Sequence, residues 1–107
     1  MHKWPDWHRK YPFNDFYINK FSPNEPGVFY IFEYEKNEIL YFGYSENIRE
    51  ELLRIYENPN KCLKGIINEG YRLGFSFFKA QNPLKFYNQI LESFNKLYNA
   101  FPRCQGL

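Results

Sequence analysis

Alanine is scarce in this chain and methionine occurs once, so its core is not assembled from small or pliable side chains. Cysteine and histidine are limited to two residues each. Cys62 and Cys104 lie far apart, in no paired spacing, which speaks against both a zinc site and a disulfide framework. His2 and His8 fall together near the start, and a metal centre built on them would have to recruit distant ligands. The first residues carry no apolar signal-type segment, and no apolar run approaches the ~20 residues of a membrane span. A soluble cytoplasmic protein without membrane contact is the expectation, as is the absence of a bound metal or other cofactor. Internal repeats and low-complexity tracts are lacking as well.

What the chain has in abundance is aromatic rings. Twelve Phe, ten Tyr and two Trp make up 22% of 107 residues, a length that suits one domain. Each ring buries a large area, so a small core needs few residues. The net charge of +2 is unevenly spread. Residues 22–60 hold eight Glu against three Lys or Arg, whereas the segments on either side are basic.

Residues 1–26 read as an irregular, aromatic-rich arm punctuated by Pro5, Pro12, Pro23 and Pro26. Asn14 to Phe21 is the one stretch of it with the makings of a short helix. Its rings either fold back over the core or dock onto another chain. Residues 27–107 form the domain proper. Gly27 to Glu33 and Ile39 to Tyr44 are β-type runs around the polar turn Glu35-Lys36-Asn37-Glu38, which is a hairpin. Ser45 or Asn47 caps a helix whose stripe is Ile48, Leu52, Ile55 and Tyr56. Asn58-Pro59 stops it, and a shorter helix runs from Lys61 to Glu69, closed by Gly70. Tyr71 to Lys79 alternates Tyr71, Leu73, Phe75 and Phe77 with Arg72, Gly74 and Ser76, the mark of a half-buried strand. Asn82-Pro83 opens a last helix to about Tyr98, whose broad apolar girth (Leu84, Phe86, Tyr87, Ile90, Leu91, Phe94, Leu97, Tyr98) implies extensive cover. The expected architecture is α+β, a small three-stranded, mainly antiparallel sheet flanked by helices in the order ββααβα.

Gly27-Val28-Phe29, then Tyr41-Phe42-Gly43 after a turn, then Ser45, Asn47 and Ile48 at a helix start, resemble the GIY-YIG endonuclease superfamily. The resemblance spans roughly residues 26–105 and is best over 27–57. It implies a three-stranded antiparallel sheet with flanking helices, and a fold motif held by Gly27, Val28, Tyr41, Gly43, Ser45 and Asn47. It also implies metal-dependent phosphodiester cleavage. That chemistry requires a tyrosine near the attacking water, an arginine on the phosphate, and a glutamate holding one divalent ion.

The positions that the resemblance marks for this work are mostly vacated. The first tyrosine is Phe29, which has no hydroxyl, and Tyr30 points to the opposite face of a strand. Tyr41 is retained. The arginine position is Glu51, a reversal of charge, and the next helical turn offers Ile55 where a polar group is usual. The metal-ligand position is Tyr87, a poor donor for a hard cation, and the closing Asn position is Gln105. Arg54 and Glu92 are the substitutes available if catalysis survives, with Mg²⁺ or Mn²⁺ as the ion. Three readings follow. The first is a catalytically depleted, nuclease-like domain acting as a protein-interaction or structural module, within or beside a larger complex. The second is a nucleic-acid-binding module without cleavage, using Lys61, Lys64, Arg72 and Lys79 with Arg9 and Lys10. The third is a divergent endonuclease using Tyr41, Arg54 and Glu92.

Overall fold

A computed structural model describes Trp7 and residues 9–106. His2, Pro5 and His8, named above, lie outside the described residues. The chain order is β1 (Tyr11–Pro12), α1 (Asp15–Phe21), β2 (Gly27–Glu33), β3 (Glu38–Ser45), α2 (Ile48–Glu57), α3 (Lys61–Asn68), β4 (Leu73–Lys79) and α4 (Pro83–Tyr98). The class is α+β, as the alternation of short apolar strands and amphipathic helices requires. The expected three strands and the order ββααβα are corrected, because the sheet has four strands, all antiparallel, in the order β1-β4-β2-β3. The missed strand is β1, in the supposedly irregular arm, whereas the short helix expected within Asn14 to Phe21 is present as α1. Pro12 hid β1, although a proline is tolerated in a two-residue edge strand. There Tyr11 pairs with Phe75 and Pro12 with Gly74. In α1, Asn14 accepts the Tyr17 N–H as N-cap, which supplies one orphan donor of a short helix with a partner.

Every residue of β2 is buried, because both faces of the sheet are covered. Phe29 and Ile31 point toward α1, α2 and α3, where they meet Ile18, Leu52, Ile55, Leu63 and Phe75. Val28, Tyr30 and Phe32 point the other way, toward Ile90 and Leu91 of α4. Trp7 closes that second layer, with its ring edge-on to Tyr30 and Phe78 at 4.8 Å. The described part of the arm thus folds over the core. The half-buried reading of β4 fails for the same reason. The polar-looking side of this strand lies under aromatic rings, with Gly74 against Phe32 and Tyr34 and Ser76 fully buried beside the Tyr30 hydroxyl. The strand also starts at Leu73, leaving Tyr71 exposed. On α4 the expected cover is too generous. Only Pro83, Ile90 and Leu91 are buried, while Leu84, Phe86, Leu97 and Tyr98 are exposed.

The cysteines correct a further expectation, since Cys62 and Cys104 form a disulfide. It joins the first turn of α3 to the segment after α4. The bond closes a span of 42 residues, and loop-closure entropy for such a span corresponds to ~4 kcal/mol at most. Among the described residues, no helix is long and apolar enough to cross a membrane.

Two glycines are fixed by close approach. A Cβ on Gly27 would run into the Phe78 carbonyl oxygen and Ile48 Cδ1, and one on Gly43 would meet the ring of Phe29. Phe29 lies directly opposite Gly43 in the β2–β3 register, so its ring fills the space that a side chain would take. Gly27→Ala has no soft neighbour to displace, because a backbone carbonyl stands in the way. The expected outcome is a loss of ~1–3 kcal/mol, the usual cost of overpacking, read as a lower urea midpoint with unchanged slope.

Candidate functional site

Five of the sequence-marked residues, Tyr41, Glu51, Arg54, Tyr87 and Gln105, come together near the outer edge of β3. The hairpin carries a bulge at this point. Ile31 pairs with Tyr41 and Phe32 with Ile39, so Leu40 is the extra residue. A bulge places consecutive side chains on one side of a strand, which is why Leu40 and Tyr41 both belong to the layer facing α2 and α3. Tyr41 is half-buried, with its ring 6.4 Å from that of Phe29. From the other layer, Tyr87 of α4 rests on Tyr44 at 4.7 Å between centroids.

Gln105 ties the edge together. Its side-chain amide accepts the Phe42 N–H at 2.8 Å and donates to the Phe42 carbonyl at 2.8 Å. The same amide nitrogen donates to the Tyr87 hydroxyl at 3.0 Å. A primary amide has the donor and acceptor to imitate one rung of a β-ladder, and it does so here on a strand that has no neighbour on this side in the sheet order. The Cys104 N–H adds a bond to the Leu40 carbonyl at 2.9 Å. Gln105 is therefore an edge cap, and Tyr87 is engaged with it.

The charged members come from α2. Asn47 caps the helix by accepting the Glu50 N–H at 3.1 Å, and its amide donates to the Glu50 carboxylate at 2.8 Å. Ser45 accepts the Asn47 N–H at 2.9 Å. This capping orients Glu51 and Arg54 one turn further on. Arg54 Nε donates to Glu51 Oε1 at 3.0 Å, and Nη2 donates to Oε2 of the same carboxylate. Arg49, by contrast, turns away to the Ser22 carbonyl at 2.8 Å. A groove along α2 is lined by Glu46, Glu50, Glu51, Arg54 and Glu57, four carboxylates and one guanidinium.

The remaining candidates are dispersed. Phe29 is fully buried and Ile55 nearly so; both are core. Glu92 is exposed and paired with Lys96 at 3.1 Å. Lys61 and Lys64 are exposed on α3. Arg72 lies over the Tyr34 ring, and Lys79 pairs with Glu25 at 3.6 Å. Arg72 and Lys79 flank β4, a separation of ~20 Å at strand rise, so the four cations do not make one patch. Among the described residues, no three His, Cys, Asp or Glu side chains gather as metal ligands. The edge-capping role of Gln105 and the disulfide beside it escaped the sequence, which offered only a Pro-x-Cys-Gln string after the last helix.

No protein-family model matches the chain, and no curated protein or solved structure matches it either.

Burial, then the neighbouring Tyr87 phenol and the Glu51 carboxylate, push Tyr41 above the usual tyrosine pKa, while Arg54 opposes them. Burial likewise raises Tyr30 and Tyr34. A raised folded-state pKa means that the native state holds its proton more tightly than the unfolded chain. The associated stability is fully present below about pH 10 and is lost as pH rises through the raised values. Urea midpoints should therefore fall on alkaline titration, with phenolate absorbance appearing in step with unfolding. Tyr41→Phe should make that fall shallower, whereas an unchanged pH slope would show that Tyr41 ionises freely in the native state.

Proposed function

We propose that this chain is a catalytically depleted domain of the GIY-YIG nuclease-like kind that acts as a protein-interaction module. The resemblance of the Gly27 to Ile48 region supplies the fold reading, and the all-antiparallel β2–β3–β4 core with α2 following the hairpin supports it. The observation that carries the loss of catalysis is the Glu51–Arg54 pair beside Tyr41. Among the described residues, the one cation lining this cleft, Arg54, is committed to a carboxylate standing where the resemblance calls for a guanidinium. A phosphate approaching it meets an already neutralised arginine and an acidic groove. The metal-ligand position fares no better, because the Tyr87 hydroxyl is a weak donor to a hard cation and is held by Gln105. The residues present do not fit the metal that the resemblance implies.

An acidic groove instead favours a partner bearing Lys or Arg, and exposed Tyr44, the chain neighbour of Ser45 in its lining, offers apolar contact of the type enriched in interfaces. The cytoplasmic placement expected from the sequence carries a condition. Disulfides persist in oxidising surroundings and are transient in a reducing cytosol, so there the Cys62–Cys104 bond would open and close.

Incubation with plasmid, single-stranded DNA and RNA in Mg²⁺ or Mn²⁺ should give no cleavage even at protein excess. A labelled Lys/Arg-rich peptide should bind in a salt-dependent way. Glu46→Gln/Glu57→Gln should weaken it about two- to thirtyfold, at ~0.2–1 kcal/mol per exposed pair. Metal-dependent cleavage abolished by Glu92→Ala would sink this reading in favour of an active enzyme. Oligonucleotide binding lost in Lys61→Glu/Lys64→Glu would replace it with the nucleic-acid module.

A further inference from the structure

We propose that the Cys62–Cys104 disulfide is a redox-operated clasp on the outer edge of β3, opened by a dithiol reductant so that the backbone groups of that edge become exposed. The segment from Pro102 to Gln105 runs along this edge and is buried at Pro102, Cys104 and Gln105. It satisfies the Leu40 carbonyl through the Cys104 N–H, and both backbone groups of Phe42 through Gln105. Arg103 pairs with Glu38 at 2.9 Å at the start of the strand. An eight-residue edge strand left open is a template for pairing with another extended chain, and this segment covers it.

What holds the segment in place is the bond to α3. Asn60 adds a second link, capping α3 through the Leu63 N–H at 2.8 Å and donating to the Cys104 carbonyl at 3.1 Å. The neutral hydrogen bonds and the partly exposed Arg103–Glu38 pair are each of modest net strength, so the segment opens more readily once the covalent tether is cut. The sulfurs are unequal. Cys62 is half-buried, whereas Cys104 is 1% exposed, so an incoming thiolate reaches Cys62 Sγ. A new S–S bond forms there as the old one breaks, and Cys104 leaves as a thiolate and takes up a proton. The second thiol of the reductant then attacks the mixed disulfide, releasing Cys62 as a thiolate. Once the Cys62 thiolate also takes up a proton, the protein has gained two electrons and two protons from the dithiol, which is oxidised to a cyclic disulfide. Cys62 sits in the first turn of α3, where the helix dipole favours the thiolate that is released.

Native-state hydrogen exchange of the full chain with and without dithiothreitol tests this. Reduction should speed exchange at the Phe42 amide by about tenfold or more, while Phe29 and Ile31 in the central strand change little, since local opening exposes only the edge. Cys62→Ser/Cys104→Ser should exchange at the reduced rate and ignore the reductant. An unchanged Phe42 rate on reduction overturns the proposal. So does an equal acceleration at Phe29 and Ile31, which would make the bond a global stabiliser and no clasp. The reductant arm on the unaltered chain decides the matter even if the double variant fails to fold.

Discussion

The structure depends on burying β2 from both sides at once. A central strand of seven residues with five large side chains, Phe29 and Ile31 on one face and Val28, Tyr30 and Phe32 on the other, cannot be satisfied by a single helical layer. Three helices supply one cover, and α4 with Trp7 supplies the other. Aromatic rings make this possible in so short a chain, because each removes a large area from water at a low cost in side-chain entropy. They also impose constraints. Phe29 fits only because Gly43 opposite has no side chain, and Phe32 fits only because Gly74 has none. The glycines and the rings are one packing solution.

That solution explains which parts of the architecture were legible in sequence. The hairpin, its following helix and the last helix announce themselves through local chemistry. A β-rich run ends in polar turn residues, Asn47 stands ready to cap, and Asn82-Pro83 opens a helix. Strand β1 had no such signal, since two residues including a proline carry no periodicity, and only Phe75 and Gly74 across the sheet define it. The exposure of α4 was illegible for a related reason. Periodicity shows which residues are able to be buried, whereas the extent of burial depends on how much sheet lies beneath. The half-buried appearance of β4 came from Gly74 and Ser76, small residues that are buried because Phe32, Tyr34 and Tyr30 cover them.

The site was partly legible. Tyr41, Glu51, Arg54, Tyr87 and Gln105 were singled out by motif and do come together at the β3 edge, linked by hydrogen bonds and by their influence on Tyr41. Their roles were not visible, because each role belongs to a partner. Gln105 became intelligible only beside the backbone of Phe42, and Glu51 only with Arg54 across its carboxylate. A charge reversal in isolation suggests repulsion of phosphate. With its guanidinium in place it shows something more specific, namely that the local cation is already spent. With Arg54 largely exposed, the Arg54–Glu51 pair adds little to stability, and its weight falls on the proposed recognition role.

The edge of β3 brings these threads together. An antiparallel sheet in a small domain must manage two edges. Here one is covered by a short segment whose side-chain amide completes the ladder and whose covalent bond keeps the amide near. The amide supplies hydrogen-bond geometry and the disulfide supplies local concentration. Neither replaces the other. An untethered Gln105 pairs with Phe42 only for the fraction of time its segment is docked, and a tethered segment without the amide would leave two backbone groups of Phe42 unmatched in a buried setting, at a cost comparable to the bonds themselves. The same edge carries Tyr41, Tyr44 and the contact with Tyr87, so any event that loosens the cover also reshapes the cleft read here as a recognition surface. Fold protection and the proposed interaction surface are therefore coupled through one short segment.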